Sequence, residues 1–309
     1  MYKFKNQSMY QIINIITKQL KQSNQISFEV LNPDIYSSTY AGKIVKIENE
    51  EYVYRSYKSW CDLAQKLFCR ILIPKIVSKS IIELTFEKLN KDESFHKEKD
   101  DKEKYGADST FSQINKNEEP EVFLSYLKSL ENVKLDKRKR ILNLGVNKAE
   151  EFELIKEYSQ DFESLELVGI DYCSSAIKKA KEKFCDDKNV KFYVEDINSL
   201  DSLNLGEFDL IISIGTLQSS NLQFNEIFMQ IVQKYLKKDG SMILGFPNCR
   251  WIDGQIIYGA KASNYSFSEM SVLYKDVIFC KKYLQQKKFR VTLTGKYYIF
   301  LTATSIRKN

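Results

Sequence analysis

The chain has 309 residues and a mass of 36.2 kDa, enough for one large or two medium domains with a packed core. Hydrophobic residues make up 43% and charged residues 28%, aromatics at 13% argue against wholesale disorder, and no apolar run approaches the ~20 residues of a membrane span. The net charge of +6 is spread over both halves without the concentrated positive face of a nucleic-acid footprint, and a single histidine, His96, excludes metal sites built on several histidines.

The six cysteines, Cys61, Cys69, Cys173, Cys185, Cys249 and Cys280, lack zinc-ligand spacing and suit reduced, buried thiols. The Ile12–Ile16 cluster is too short and too polar-flanked for a signal peptide, so a cytoplasmic location and no membrane partner are expected.

Taken in chain order, Asn6–Gln22 has apolar residues at helical spacing. Lys43–Glu48 and Tyr52–Tyr57 read as a hairpin around Asn49-Glu50. Ser59–Cys69 reads as a helix with Ser59 as its N-cap, and Ile81–Leu89 as a strand. Residues 1–90 are therefore expected to form a small α+β module, followed by a charged linker and lead-in helix over 91–135.

From residue 136 to 309 short apolar β-rich runs alternate with helical patterns. The strands are Arg140–Leu144, Leu165–Ile170, Val190–Val194, Asp209–Ile214 and Ser241–Phe246. Helices are expected over Ala149–Glu157, Ser175–Phe184, Asn225–Leu236 and Glu269–Gln286, and Phe289–Thr294 with Tyr297–Thr304 forms a closing antiparallel pair. This is the pattern of a doubly wound, mostly parallel α/β sheet.

Such sheets bind ligands at the carboxyl ends of their strands. The residues there are Gly145-Val146-Asn147-Lys148-Ala149, then Asp171, then Glu195-Asp196, then Gly215-Thr216-Leu217-Gln218. Glycine lets a backbone approach a ligand closely, and a carboxylate can accept from paired hydroxyls or an amine. Asp171 would equally serve as a helix cap, and Asp196 as a turn residue.

With these residues in order, residues 137–305 resemble the class I S-adenosylmethionine-dependent methyltransferases. The resemblance rests on ILNLG (141–145), LVGID (167–171) with SSAIKKAKEK (174–183), VKFYVEDINSL (190–200), FDLIISIGTLQS (208–219) and LKKDGSMIL (236–244). It implies a seven-stranded sheet with an antiparallel seventh strand and S-adenosyl-L-methionine as cofactor. Carried over, Gly145 marks the methionine-binding loop, Asp171 takes the ribose hydroxyls, and Asp196 with Ile197 holds the adenine edge. Ser213, Gly215 and Leu217 would line the reaction chamber.

The first motif departs from the family pattern. Asn143 stands where an acid is usual, and Asn147 and Ala149 stand at glycine places. Asn tolerates the left-handed conformation, Ala149 would bring a methyl towards the ligand, and Lys148 could pair with the cofactor's carboxylate. The dinucleotide-binding and P-loop glycine patterns are absent.

Acceptor chemistry is weakly encoded, because methyl transfer depends mostly on alignment and exclusion of water. The long segment Asn248–Ser268 follows the fifth strand. In it Asp253 or Tyr258 could act as base, and Arg250, Lys261 and Tyr265, with Gln218 nearby, could hold a substrate. The leading expectation is methylation of a small, anionic O- or N-nucleophile. A non-catalytic protein that keeps the fold stands second, favoured by the altered first motif. An RNA or protein methyltransferase docking through residues 1–90 stands third.

Overall fold

The computed structural model describes residues 2–35, 39–89, 106, 109–218, 222–248, 250–252, 255–257 and 270–307. Chain contacts divide the protein into two compact units, Met1–Ser94 with Trp251–Ile256, and Phe95–Arg250 with Ile257–Asn309.

The first unit runs β1 (Tyr2–Lys3), α1 (Met9–Leu20), β2 (Gln25–Leu31), β3 (Ile44–Ile47), β4 (Glu50–Val53), α2 (Tyr57–Lys66), β5 (Cys69–Ile71), β6 (Lys75–Ile76) and β7 (Ile81–Lys88). A reciprocal capping box starts α1. Ser8 Oγ accepts from the Gln11 N–H at 3.3 Å, and the Gln11 side chain accepts from the Ser8 N–H at 2.8 Å.

The cap of α2 is Ser56, not the expected Ser59. Ser56 is extended and accepts the Ser59 N–H at 3.2 Å, so the helix starts at Tyr57 while the stripe Trp60, Leu63 and Ala64 stays buried. The hairpin turns at Glu48-Asn49, one residue earlier than expected, with φ values of 48° and 69° that suit the right-handed strand twist.

In its sheet β1 runs parallel to β2, and β2 antiparallel to β7. β5 and β6 occupy successive stretches of the other edge of β7, with Pro74 between them. Ile12, Ile16, Phe28, Trp60, Leu84 and Phe86 fill the core.

The second unit contains α3 (Pro120–Asn132), β8 (Arg140–Leu144), α4 (Glu150–Tyr158), β9 (Glu166–Asp171), α5 (Ser174–Lys183), β10 (Val190–Val194), β11 (Phe208–Ile214) and α6 (Phe224–Lys234). β12 (Leu236–Pro247), α7 (Ser271–Gln286), β15 (Phe289–Thr294) and β16 (Tyr298–Ser305) complete it, while β13 (Arg250–Ile252) and β14 (Gln255–Ile257), between β12 and α7, lie mostly in the stretch grouped with the first unit.

Seven strands pair in the order β10-β9-β8-β11-β12-β16-β15. All pairings are parallel except those of β16, which runs antiparallel to both neighbours. Both faces are buried. Leu142, Leu144, Phe208 and Met242 pack to one side with α6 and α7, and Ile141, Leu167, Ile212 and Phe300 to the other with α3 and α4. This explains the near-continuous apolar runs in the strands.

The sequence-expected strands all form, several with the expected ends and others with shifted ones. α6 stops at Lys234 rather than Leu236, and β12 starts at Leu236 rather than Ser241. The chain order reverses between β8 and β11, which places a crevice outside their carboxyl ends. No helix among the described residues is long and apolar enough to cross a membrane.

Candidate functional site

The site is built on the loop that leaves β8. Gly145 and Val146 both donate to the Ile170 carbonyl, at 2.8 and 3.1 Å, which ties the loop to the end of β9. Gly145 has φ +77°, and a Cβ there would overlap the Thr216 side chain, so this position requires glycine. Asn147 (φ 46°) and Ala149 (φ 64°) adopt the same left-handed conformation. The loop thus keeps a glycine-type backbone with only one glycine.

Ala149 is fully buried in the core with Val146 and Phe152. The expectation that its methyl approaches the ligand is corrected, because the methyl packs against the protein interior. Lys148 also differs from expectation. Its ammonium donates to the Ser112 carbonyl at 2.6 Å and pairs with Glu150 at 3.2 Å, so it is committed within the protein.

Asp171 closes β9 with 8% exposure. Its Oδ2 accepts from the Asn147 N–H and its Oδ1 from the Cys173 N–H, each at 2.9 Å. Burial raises its pKa above the usual aspartate value, while these two N–H groups and the Lys116 charge pull it down. The carboxylate therefore locks the first loop and the start of α5 together. A carboxylate has roughly four lone-pair directions, so one that holds backbone N–H groups can still accept from a hydroxyl.

Asp196 follows β10 and caps the short helical turn from Ile197 to Leu203, accepting from the Asn198 N–H at 2.8 Å. Asp196 and Ile197 are both half-buried. On β11, Ser213 is buried and donates to the Leu144 carbonyl at 3.0 Å, which joins the central strands. Gly215 has φ +75°, and a Cβ there would stand 3.3 Å from the Tyr298 hydroxyl. Leu217 is buried in the core on the α6 and α7 side. Gln218 Nε2 donates to Asp276 Oδ2 of α7 at 2.5 Å.

Three residues of the crevice were not legible in the sequence. Glu151, in the first turn of α4, is 8% exposed and accepts from Asn143 Nδ2 at 3.4 Å, while Asn143 is itself 1% exposed. Burial pushes the Glu151 pKa up to about 7, Glu150 adds to the rise, and Lys116 and Asn143 oppose it. Lys116 acts electrostatically on both Asp171 and Glu151, and its ammonium lies 5.6 Å from the centre of the Tyr298 ring. Tyr298 is buried at the start of β16. Glu151 carried one available signal, an acid in the first turn of the helix that leaves the glycine loop; Lys116 and Tyr298 carried none.

Around Lys116 the chain is anchored to α4. The Lys116 N–H donates to Glu150 Oε2 at 3.4 Å, and Asn117 Nδ2 to the Glu150 carbonyl at 3.0 Å. Of the residues expected to hold or activate a substrate, Arg250 lies in β13, while Asp253, Tyr258, Lys261 and Tyr265 fall outside the described residues. Among the described residues no cluster of histidine, cysteine or acidic side chains could hold a metal ion.

Residues 135–294, about half the chain, match the family model described as a methyltransferase domain. No curated protein matches. Among solved structures the chain is similar to the N-methyltransferase NodS from Bradyrhizobium japonicum WM9 in complex with S-adenosyl-L-homocysteine. That likeness has 13% identity, 61% of this chain, 89% of that one and a TM-score of 0.43. It is also similar to the PH0226 protein from Pyrococcus horikoshii OT3, with 18% identity, 63% of this chain, 98% of that one and a TM-score of 0.42. Neither likeness is strong enough to transfer a function, and the family assignment rests on the domain match.

Proposed function

The chain belongs to the methyltransferase domain family, and from that premise we propose that its second unit binds S-adenosyl-L-methionine and methylates a small, anionic O- or N-nucleophile. The observation that carries this reading is the clamp of Asp171, at the end of β9, on the Asn147 N–H of the loop that leaves β8 beside the switch point of the sheet. It sets a strand-end carboxylate beside a left-handed loop. The residues suit the cofactor chemically: Asp171 has acceptor capacity for ribose hydroxyls, and Asp196 for an exocyclic amine. Asn147 and Ala149 keep the loop backbone in the glycine conformation with the Ala149 methyl turned into the core.

When bound, the cofactor would supply a sulfonium-bound methyl group, whose carbon an acceptor attacks in line as the C–S bond breaks and the thioether leaves. The protein's part is to orient the two partners and exclude water, and electrostatic guidance comes from fixed charges near the crevice. Gly215 keeps the floor beside Tyr298 free of a side chain. The anionic acceptor rests on the sequence of 248–268, where Arg250 and Lys261 would take its charge and Asp253 or Tyr258 its proton. A cytoplasmic location belongs to the same reading.

Thermal unfolding with and without S-adenosylmethionine or S-adenosylhomocysteine tests it. A ligand at 100 times its Kd adds about 2.7 kcal/mol, several degrees in a protein of this size. Stabilisation by both ligands, lost in Asp171→Ala relative to that variant's own baseline, is expected. A folded protein that millimolar ligand leaves unshifted would contradict the cofactor reading and favour a non-catalytic role.

A further inference from the structure

Glu150 and Glu151 are neighbours with opposite surroundings. Glu150 is met by the Lys148 ammonium at 3.2 Å and the Lys116 N–H at 3.4 Å. Glu151 is more than nine-tenths buried, and its carboxylate accepts from Asn143 Nδ2 at 3.4 Å. A buried carboxylate is costly unless charge and hydrogen bonds compensate it. It sits on the helix that leaves the Gly145 loop, and its partner Asn143 lies two residues before Gly145. The same Lys116 charge acts on Glu151 and on Asp171, so the two acids share one electrostatic environment.

Asn143 occupies the place where the resembled family usually has an acid, and an amide there supplies no charge. Its Nδ2 instead donates to a carboxylate carried by α4. We propose that Glu151, positioned by Asn143, is the carboxylate that receives the α-ammonium of the cofactor's methionyl end. The inference rests on the cofactor reading above. The anionic group has moved from the strand end to the first turn of the following helix, and Asn143 has become the residue that orients it. An arriving ammonium supplies the positive charge and the N–H donors that this buried carboxylate calls for.

Calorimetric titration with two ligands separates this role from a structural one. S-adenosylhomocysteine carries the amino-acid end; 5′-methylthioadenosine has the same adenosine and thioether without it. Glu151→Gln is expected to weaken S-adenosylhomocysteine about 10- to 100-fold, the worth of a hydrogen bond to a charged group, and to leave 5′-methylthioadenosine within about twofold. Restoring the charge at the strand end, in Asn143→Asp combined with Glu151→Gln, is expected to recover most of the lost affinity. Equal weakening of both ligands, or S-adenosylhomocysteine binding unchanged in Glu151→Gln, would overturn the assignment while leaving the cofactor reading intact. Wild-type protein that binds neither ligand would overturn both.

Discussion

Asp171 ends β9 with both carboxylate oxygens holding backbone N–H groups at 2.9 Å, whereas Glu151 stands in the first turn of α4 with a 3.4 Å bond from Asn143. Both are buried to the same degree, at 8% exposure. The difference lies in what each does for the fold. Asp171 joins two loops, so its loss harms structure and ligand together. Glu151 joins little, so its ionised form is a liability to the unliganded protein that a function must offset.

The largest expected effect follows from that liability. With a folded pKa of about 7 against an ordinary 4.5, Glu151 keeps its proton in the native state where the unfolded chain has already lost it. The native state then binds more protons between about pH 4.5 and 7, and stability falls as pH rises through that window. Glu151→Gln mimics the protonated form. It is expected to raise unfolding free energy by about 3 kcal/mol at pH 8 and to change it little at pH 4, measured by urea denaturation at both. Destabilisation at pH 8 would erase the contrast with Asp171.

Asp171→Ala is expected to move the other way. It leaves the Asn147 and Cys173 N–H groups without their acceptor, at about 1–3 kcal/mol for each buried group, softened where water replaces the carboxylate. A loss of about 2 kcal/mol in urea denaturation at pH 7 is expected. An Asp171→Ala protein as stable as wild type would show that the loop does not depend on this clamp.

The smallest effect concerns the loop that both acids flank. Ala149 holds φ 64° with no side-chain cap for α4. A left-handed alanine costs about 1–2 kcal/mol, and glycine loses about 0.5–1 kcal/mol of that advantage through its freer unfolded chain. Ala149→Gly is therefore expected to stabilise by about 0.5–1 kcal/mol, read as a small rise in Tm. A fall in Tm would mean that the buried methyl contributes more packing than the conformation costs.

The sheet was legible because strands buried on both faces are written as short apolar runs, such as Arg140–Leu144, whose bounds the structure reproduces. β2 is not among the expected strands, although Ile26, Phe28 and Val30 alternate with Ser27 and Glu29, the pattern of a half-buried strand. The start of α2 is ambiguous in the sequence because Ser56 and Ser59 are both good caps, and only the backbone shows which one is extended.

Within the site, Gly145, Asp171 and Gly215 were legible because each lies at or just past the carboxyl end of a strand. Glu151, Lys116 and Tyr298 were not, because their roles come from packing between distant segments. A charged residue in a polar stretch such as 109–119, or in a helix's first turn, gives no sign of burial until the fold brings another segment over it.

The central claim is that the crevice at the strand ends, from β9 across β8 to β11, is the cofactor site, and a crystal structure of the complex with S-adenosylhomocysteine tests it most directly. The expected result has the ribose hydroxyls on Asp171 and the α-ammonium on Glu151, with Gly145 against the amino-acid end. A ligand seated away from the β8 and β9 strand ends, with Asp171 and Glu151 unchanged in their contacts, would contradict it.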